Sequence, residues 1–362
     1  MSSRQARAHL VSVGTAVPPL RLSQEEAGRF LMEHFGRSLS ERSRAVLTKV
    51  FSHPGIASRT FALESPEELL RESPDERVAR FTRWAVRLSA EAALEAMEGA
   101  GLKAADISAL VVNTCTGYLC PGVSTYVMER LGLSPGIRAF DLVGSGCGGA
   151  VPNLDVAASL LAGGDAVLSV AVEICSATFQ MTDDLSLIVS NALFGDGAAA
   201  VVLQDRPEGL ALMGAGRRFA PSHREAIRYV HRNGNLHNQL STALPRLVAG
   251  EMRHVVGELL APHALCTKDV AHWALHTGGE KIITTLRDAL GLSEAQAAPT
   301  RQVMRRYGNM SSPTALFVLK DLMERIEPGQ WCALGAFGAG LSVHALLLRK
   351  TPAPGETASP GP

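Results

Sequence analysis

A duplicated α/β fold is what this sequence predicts. Apolar runs of strand length alternate with stretches of helical spacing, the same order of elements occurs twice, and 362 residues suit two packed halves. Residues 24–103 read as mostly helical, with breaks near Pro54 and Pro66. The clearest helix there runs from about Asp75 to Met97 and stops at Gly99 and Gly101. Next, "DISALVVNTCTG" carries an apolar run from Ile107 to Val112, the pattern of a buried strand. After Cys147 the positions Val151, Leu154, Ala158 and Leu161 follow helical spacing, with Gly163 and Gly164 placed to close the helix. A second buried strand, "AVLSVAVEIC", follows, and the tail "TPAPGETASPGP" is expected to be disordered.

The order then repeats. "ADISALVVNT", from Ala105, lines up with "KDVAHWALHT", from Lys268; each is a charged turn leading into a strand that ends in threonine. Cys147 and Asn309 fall at matching places, each in a glycine-containing loop that opens a helix. The second of these helices presents Leu316, Leu319, Met323 and Ile326 on one face and is expected to end at Pro328. "AVLSVAVEIC" and "WCALGAFG" are then equivalent strands, and "AAAVVLQD" and "SVHALLLRK" close the two halves. The expected division is 1–205, 206–350 and a tail 351–362.

Composition narrows the function. Lysine plus arginine equal aspartate plus glutamate at 35 each, which argues against nucleic acid or a membrane surface as partner and favours a small molecule. The start has no apolar leader, and no run of about eighteen apolar residues occurs, so a cytoplasmic protein is expected. Six cysteines at 115, 120, 147, 175, 266 and 332 form no CxxC pair, which suggests thiols rather than a disulfide framework or a metal site.

Packing two copies about a pseudo-twofold axis would bring Cys147, Asn309 and His276, which closes the second-half strand, toward one place. A thiol beside a helix N-terminus and an imidazolium is expected to ionise readily. An asparagine amide and an imidazole N–H both donate to a developing oxyanion. The set suits acyl transfer to the cysteine followed by attack of an enolate made by decarboxylation. Asn309 as a helix cap and His276 as a buried structural histidine are the plainer readings; for His272 and His344, which carry no such motif, the structural reading is preferred.

The segments "LVGSGCGGAVPNL", "ALFGDGAAAVVL", "HTGGEKII", "RRYGNMSSPTALFVL" and "GAFGAGLSV" resemble the chalcone synthase-like type III polyketide synthases, in their bacterial branch. The resemblance implies a thiolase-like five-layered αβαβα fold, a homodimer, and iterative decarboxylative Claisen condensation of malonyl-CoA onto an acyl-CoA starter, followed by cyclisation to a pyrone, resorcinol or related product. It implies Cys147 as nucleophile, His276 and Asn309 as the decarboxylation and oxyanion pair, and Phe194 as an aromatic gatekeeper. The pocket wall would include Cys115, Thr116, Cys175, Thr178 and Ser311, with Cys120 reaching across the dimer interface. Asn238 stands where a second gatekeeper phenylalanine is expected. Lys49 and Arg59 are candidate contacts for the coenzyme A phosphates, by position only. No cofactor beyond the thioester substrates is expected. The small wall residues favour an aliphatic starter in a tunnel past Thr178, unless residues 229–245 fill that space. An initiating ketoacyl synthase and a non-catalytic thiolase-fold partner subunit are the alternatives; the first is expected to read HQAN where this chain has "HTGG".

Overall fold

The computed structural model describes residues 8–162, 165–232 and 235–352. The first half runs β1 (His9–Ala16), β2 (Leu20–Ser23), α1 (Gln24–Phe35), α2 (Glu41–Phe51), β3 (Ser58–Phe61), α3 (Pro74–Gly99), β4 (Ile107–Asn113), α4 (Val123–Leu131), β5 (Arg138–Leu142), α5 (Ala150–Ser159), β6 (Ala166–Glu173), α6 (Leu185–Leu193) and β7 (Gly197–Gln204). The second runs β8 (Leu210–Phe219), β9 (Ile227–Arg232), β10 (Asn235–Leu240), α7 (Leu244–Leu260), β11 (Val270–Leu275), α8 (Glu280–Leu290), α9 (Glu294–Tyr307), α10 (Thr314–Met323), β12 (Trp331–Gly338) and β13 (Ser342–Lys350). The proposed division at 205/206 falls between β7 and β8.

Nine strands follow one another in the order β11-β12-β13-β8-β1-β7-β6-β4-β5. Read outward from the middle, the order is mirrored, with β8 matching β1, β13 matching β7, β12 matching β6 and β11 matching β4. The pairing senses match too: β4–β6 and β11–β12 are parallel, while β6–β7 and β12–β13 are antiparallel. The two halves join through only two β1–β8 pairs, His9 with Ala211 and Leu10 with Leu210.

Three apolar layers account for the architecture. Alternation along β4 sends Ala109 and Val111 to one face and Leu110 and Val112 to the other, so the strand is buried on both sides. The outer face packs on α3 through Trp84 and Leu88. The inner face meets α5 and α10, whose Leu154, Ala157, Leu316 and Leu319 share a core with Leu334 and Leu346 of the second half. On the far side Met252 and Val256 of α7 pack on Trp273 and Leu347. The result is the five-layered αβαβα arrangement of two copies. α5 and α10 occupy its centre, so their N-terminal loops lie between the sheets.

Several helix ends differ from expectation. The best-defined one, α3, opens on a Ser73–Glu76 capping box with Pro74 in its first turn, close to the anticipated start. By contrast, α5 stops at Ser159, and Gly163 and Gly164 lie outside the described residues. Likewise α10 stops at Met323 rather than at Pro328, because Arg325 and Ile326 both donate to the Leu322 carbonyl and tighten the last turn. Within residues 24–103, β3, which pairs with β2, interrupts the helices. Thr351, at the head of the expected disordered tail, is still tied to the Gly209 carbonyl; residues 353–362 lie outside the described residues. Among the described residues no helix is long and apolar enough to cross a membrane.

Candidate active site

Three loops converge between the sheets. Cys147 sits in a single tight turn, Gly146–Gly148, just ahead of α5. The turn lies directly on β12: a Cβ added to Gly338 would come within 1.9 Å of the Ser145 carbonyl oxygen, so only glycine permits this approach. Asn309 lies in the α9–α10 loop, where its backbone N–H donates to Leu193 O at 2.8 Å and its carbonyl accepts from Gly195 N–H at 3.0 Å. These bonds tie it to Phe194. Its side-chain oxygen accepts from Ser311 N–H at 2.7 Å, and its side chain lies near the Cys147 thiol. Ser311 adopts φ 59°, a left-handed conformation unusual for serine, and its hydroxyl lies 3.3 Å from Cys147 Sγ.

His276 directly follows β11. Its backbone N–H donates to Gly335 O at 2.9 Å, and its ring meets Phe337 edge-on with centroids 5.1 Å apart. The neighbouring Thr277 hydroxyl donates to Gly308 O, which joins this strand end to the Asn309 loop. The imidazole is 1% exposed, and neither ring nitrogen has a hydrogen-bond partner among the described residues. A buried polar ring without partners is costly, and such groups concentrate where a substrate or a reaction supplies the missing partner.

Burial sets the resting protonation. It pushes the Cys147 thiol up to about 12, against the opposing bonds from Ser311 and Asn309, and holds His276 down to about 3. Burial thus favours the neutral thiol and the neutral imidazole. It works against the expected thiolate beside an imidazolium. Cys147 precedes the first residue of α5 by three positions, and desolvation outweighs what the helix end supplies.

Two groups absent from the sequence reading complete the site. Glu173, the last residue of β6, is fully buried. Its Oε2 accepts from Cys115 N–H at 3.0 Å, Thr116 N–H at 3.1 Å and the Thr116 hydroxyl at 2.8 Å; its Oε1 accepts from the Ser312 hydroxyl at 2.7 Å and lies 3.5 Å from that of Ser311. A lone acid closing an apolar strand was its available signal. Tyr229 enters from β9, where it pairs with Asn238 of β10, and its hydroxyl lies near Thr178, Cys115, Cys175 and Cys147. No local pattern marks it, because its placement depends on how this hairpin folds across the first half.

The remaining candidates separate. Cys175, Thr178, Phe194 and Asn238 line one cavity of about 50 Å³. Cys115 lies beside Ser311, with Sγ 3.5 Å from its hydroxyl, whereas the Thr116 hydroxyl is committed to Glu173 and Ile174. Cys120 is exposed, outside this cluster. Lys49 is exposed on α2. Arg59 requires a correction: it is 2% exposed, its Nε donates to Gln24 Oε1 at 2.9 Å, and its Nη1 donates to the carbonyls of Asn191 and Phe194 at 2.7 and 2.6 Å. It pins the backbone of Phe194 from inside and offers no surface charge for a phosphate. His272 bonds to Gln330, and His344 packs edge-on against Phe219.

The profile of the FAE1/type III polyketide synthase-like proteins matches residues 9–274, and that of the chalcone and stilbene synthase C-terminal domain matches 211–352. The chain belongs to the type III polyketide synthases. It is 30% identical to the 3,5-dihydroxyphenylacetyl-CoA synthase of Streptomyces toyocaensis, over 95% of this chain and 90% of the relative. It is also 30% identical to the alpha-pyrone synthesis polyketide synthase-like Pks18 of Mycobacterium tuberculosis, over 92% and 89%. Among solved structures, PKS-I of the brown alga Ectocarpus siliculosus superimposes with a TM-score of 0.87 at 27% identity, covering 97% of this chain and all of that one. As a type III polyketide synthase the chain is an acyltransferase that carries out iterative decarboxylative condensation of malonyl-CoA onto an acyl-CoA starter, followed by cyclisation.

Proposed function

We propose that Cys147 is the nucleophile of this synthase, with His276 and Asn309 serving the decarboxylation and the oxyanion. The observation that carries this is the Ser311 hydroxyl 3.3 Å from the Cys147 sulfur, two residues from Asn309, with the unpartnered buried imidazole of His276 at the strand end that Thr277 joins to the same loop. The neutral His276 is in the form that accepts a proton. It takes the Cys147 proton as the sulfur attacks the starter thioester, and coenzyme A leaves as its thiol. Malonyl-CoA then loses CO2, and the negative charge passes to the thioester oxygen of the enolate, where the Asn309 amide and an imidazole N–H donate. The enolate carbon attacks the acyl carbonyl on Cys147, forming the carbon–carbon bond and releasing the Cys147 thiolate. Burial keeps water from both the acyl-enzyme and the enolate. Cys147→Ala should lose starter loading yet retain slow malonyl-CoA decarboxylation, whereas His276→Ala and Asn309→Ala should lose decarboxylation. Normal starter loading by the Cys147 variant would overturn the assignment.

Starter size follows from Tyr229. Tyr229 stands near Thr178, where the tunnel is expected, and we infer that it shortens that tunnel. The cavity of about 50 Å³ beside Thr178 and Phe194 admits a few water-sized groups. A compact starter suits this space better than a long aliphatic chain. We further propose that the enzyme acts as a homodimer, with the exposed Cys120 at the interface.

A further inference from the structure

The duplicated register brings out a residue that the reaction scheme leaves unused. In the aligned strands "ADISALVVNT" and "KDVAHWALHT", Asn113 occupies the position of His276. Asn113 ends β4, is 4% exposed, and is wedged against the loop that carries the nucleophile: a Cβ on Gly149 would lie 2.5 Å from its Nδ2. That Nδ2 donates to the Ser312 hydroxyl at 2.8 Å. Ser312 in turn donates to Glu173 Oε1 at 2.7 Å. Beside it, the Ser311 hydroxyl stands 3.5 Å from the same Oε1 and 3.3 Å from Cys147 Sγ.

A serine hydroxyl has one hydrogen to give, and an amide NH2 has only hydrogens to offer. Facing the Asn113 amide nitrogen, Ser312 must turn its own hydrogen away, and Glu173 Oε1 receives it. That oxygen is already held by the nearer donor at 2.7 Å, so it competes weakly from 3.5 Å for the single hydrogen of Ser311, which goes to the Cys147 sulfur at 3.3 Å. The reversed amide, with Oδ1 toward Ser312, would compete with Glu173 for the Ser312 hydrogen and draw Ser311 away from the thiol. In the orientation present, Oδ1 has no partner among the described residues, and Asn113 lines a cavity of about 10 Å³ with Thr114, Leu142, Ser145, Gly146 and Gly149. A cavity of that size holds about one water.

We propose that Asn113 is a positioning residue that acts through Ser312 and Glu173 to keep the Ser311 hydroxyl aimed at Cys147, and so eases formation of the thiolate. The proposal rests on the reading of Cys147 as nucleophile. The other ionisable groups around that sulfur are Glu173 from β6, Cys115 and Cys175 from the loops after β4 and β6, and Tyr229 from β9; His276, which follows β11, is joined to the Asn309 loop through Thr277.

The test is the pH dependence of Cys147 alkylation by iodoacetamide, read peptide by peptide by mass spectrometry, in Asn113→Leu, Ser312→Ala and the double variant. Leucine approximates the shape of asparagine without its donor. Asn113→Leu should move the Cys147 profile upward by about one pH unit, as loss of a hydrogen bond to the charged form does, and leave the profile of exposed Cys266 in place. Ser312→Ala should do the same, and the double variant should move it no further than either single change. An unchanged profile in Asn113→Leu, or additive shifts in the double variant, would overturn the proposal. Should the leucine variant not fold, Asn113→Ala reads the same loss. Failure here with starter still loading on Cys147 refutes the positioning role alone, whereas loading in Cys147→Ala refutes the reading beneath it.

Discussion

Replacing Tyr229 with alanine should convert a site for compact starters into one that accepts longer chains. The variant removes a ring and hydroxyl near Thr178, which lines the cavity of about 50 Å³ with Cys175 and Phe194, and should open their space toward it. A side chain of that length frees room for about five methylenes, each worth about 0.8 kcal/mol on burial, so the ceiling is about 4 kcal/mol. Partial collapse of the walls forfeits some of this. We expect the ratio of kcat/KM for octanoyl-CoA over acetyl-CoA to rise on the order of 100-fold, which corresponds to about 2.7 kcal/mol. The assay is competition between the two starters with malonyl-CoA in excess, products being counted by mass spectrometry. Tyr229→Phe is the control: it removes only the hydroxyl near Thr178, so its ratio should stay within a few-fold of wild type. An unchanged preference in Tyr229→Ala, or an equal change in Tyr229→Phe, would refute the view that the ring limits starter length.

Arg59→Met should lower stability by roughly 2–5 kcal/mol in urea unfolding, since the Asn191 and Phe194 carbonyls and Gln24 lose their buried donor; a stable variant with only a raised KM for coenzyme A thioesters would restore the phosphate-binding role. Near neutral pH, iodoacetamide should label the exposed Cys266 before Cys147, whose thiol burial pushes up to about 12, and Cys147 should gain as pH rises. Prior labelling of Cys147 at pH 7 would show the ready thiolate that burial opposes. His276 titrates at about 3 in the folded chain against an ordinary 6.5, so below 6.5 the unfolded chain binds the proton first. Its stabilising contribution is thus complete above 6.5 and is lost as pH falls toward 3. Between pH 6.5 and 5 the wild type should lose about 2 kcal/mol more stability than His276→Asn; equal losses would show that the folded imidazole is protonated as easily as the unfolded one.

Legibility in the sequence followed the range of the interactions involved. The strands at Ile107 and Val270 and the corners at Cys147 and Asn309 could be read because duplication writes the same local pattern twice, and the mirrored strand order follows from it. Glu173 was readable in principle, since an acid at the end of an eight-residue buried strand demands partners. Tyr229 and Arg59 were not. Tyr229 reaches the site through a separate β9–β10 hairpin, and Arg59 is turned inward by the pairing of residues 20–23 with 58–61, which no short window contains. The opposing effects on the thiol differ in the same way: the helix end is a local feature, whereas the desolvation that works against it is created only when both halves close over the sulfur.

The most direct test is to find where the starter is carried. Purified enzyme given acetyl-CoA without malonyl-CoA, quenched in acid and digested, should yield one peptide that gains an acetyl group, the peptide containing Cys147. The label should vanish on chase with malonyl-CoA as the chain is extended. An acetyl group on Cys115 or Cys175 with Cys147 unmodified, or product formation without any acyl-enzyme, would contradict the assignment of Cys147 as the nucleophile.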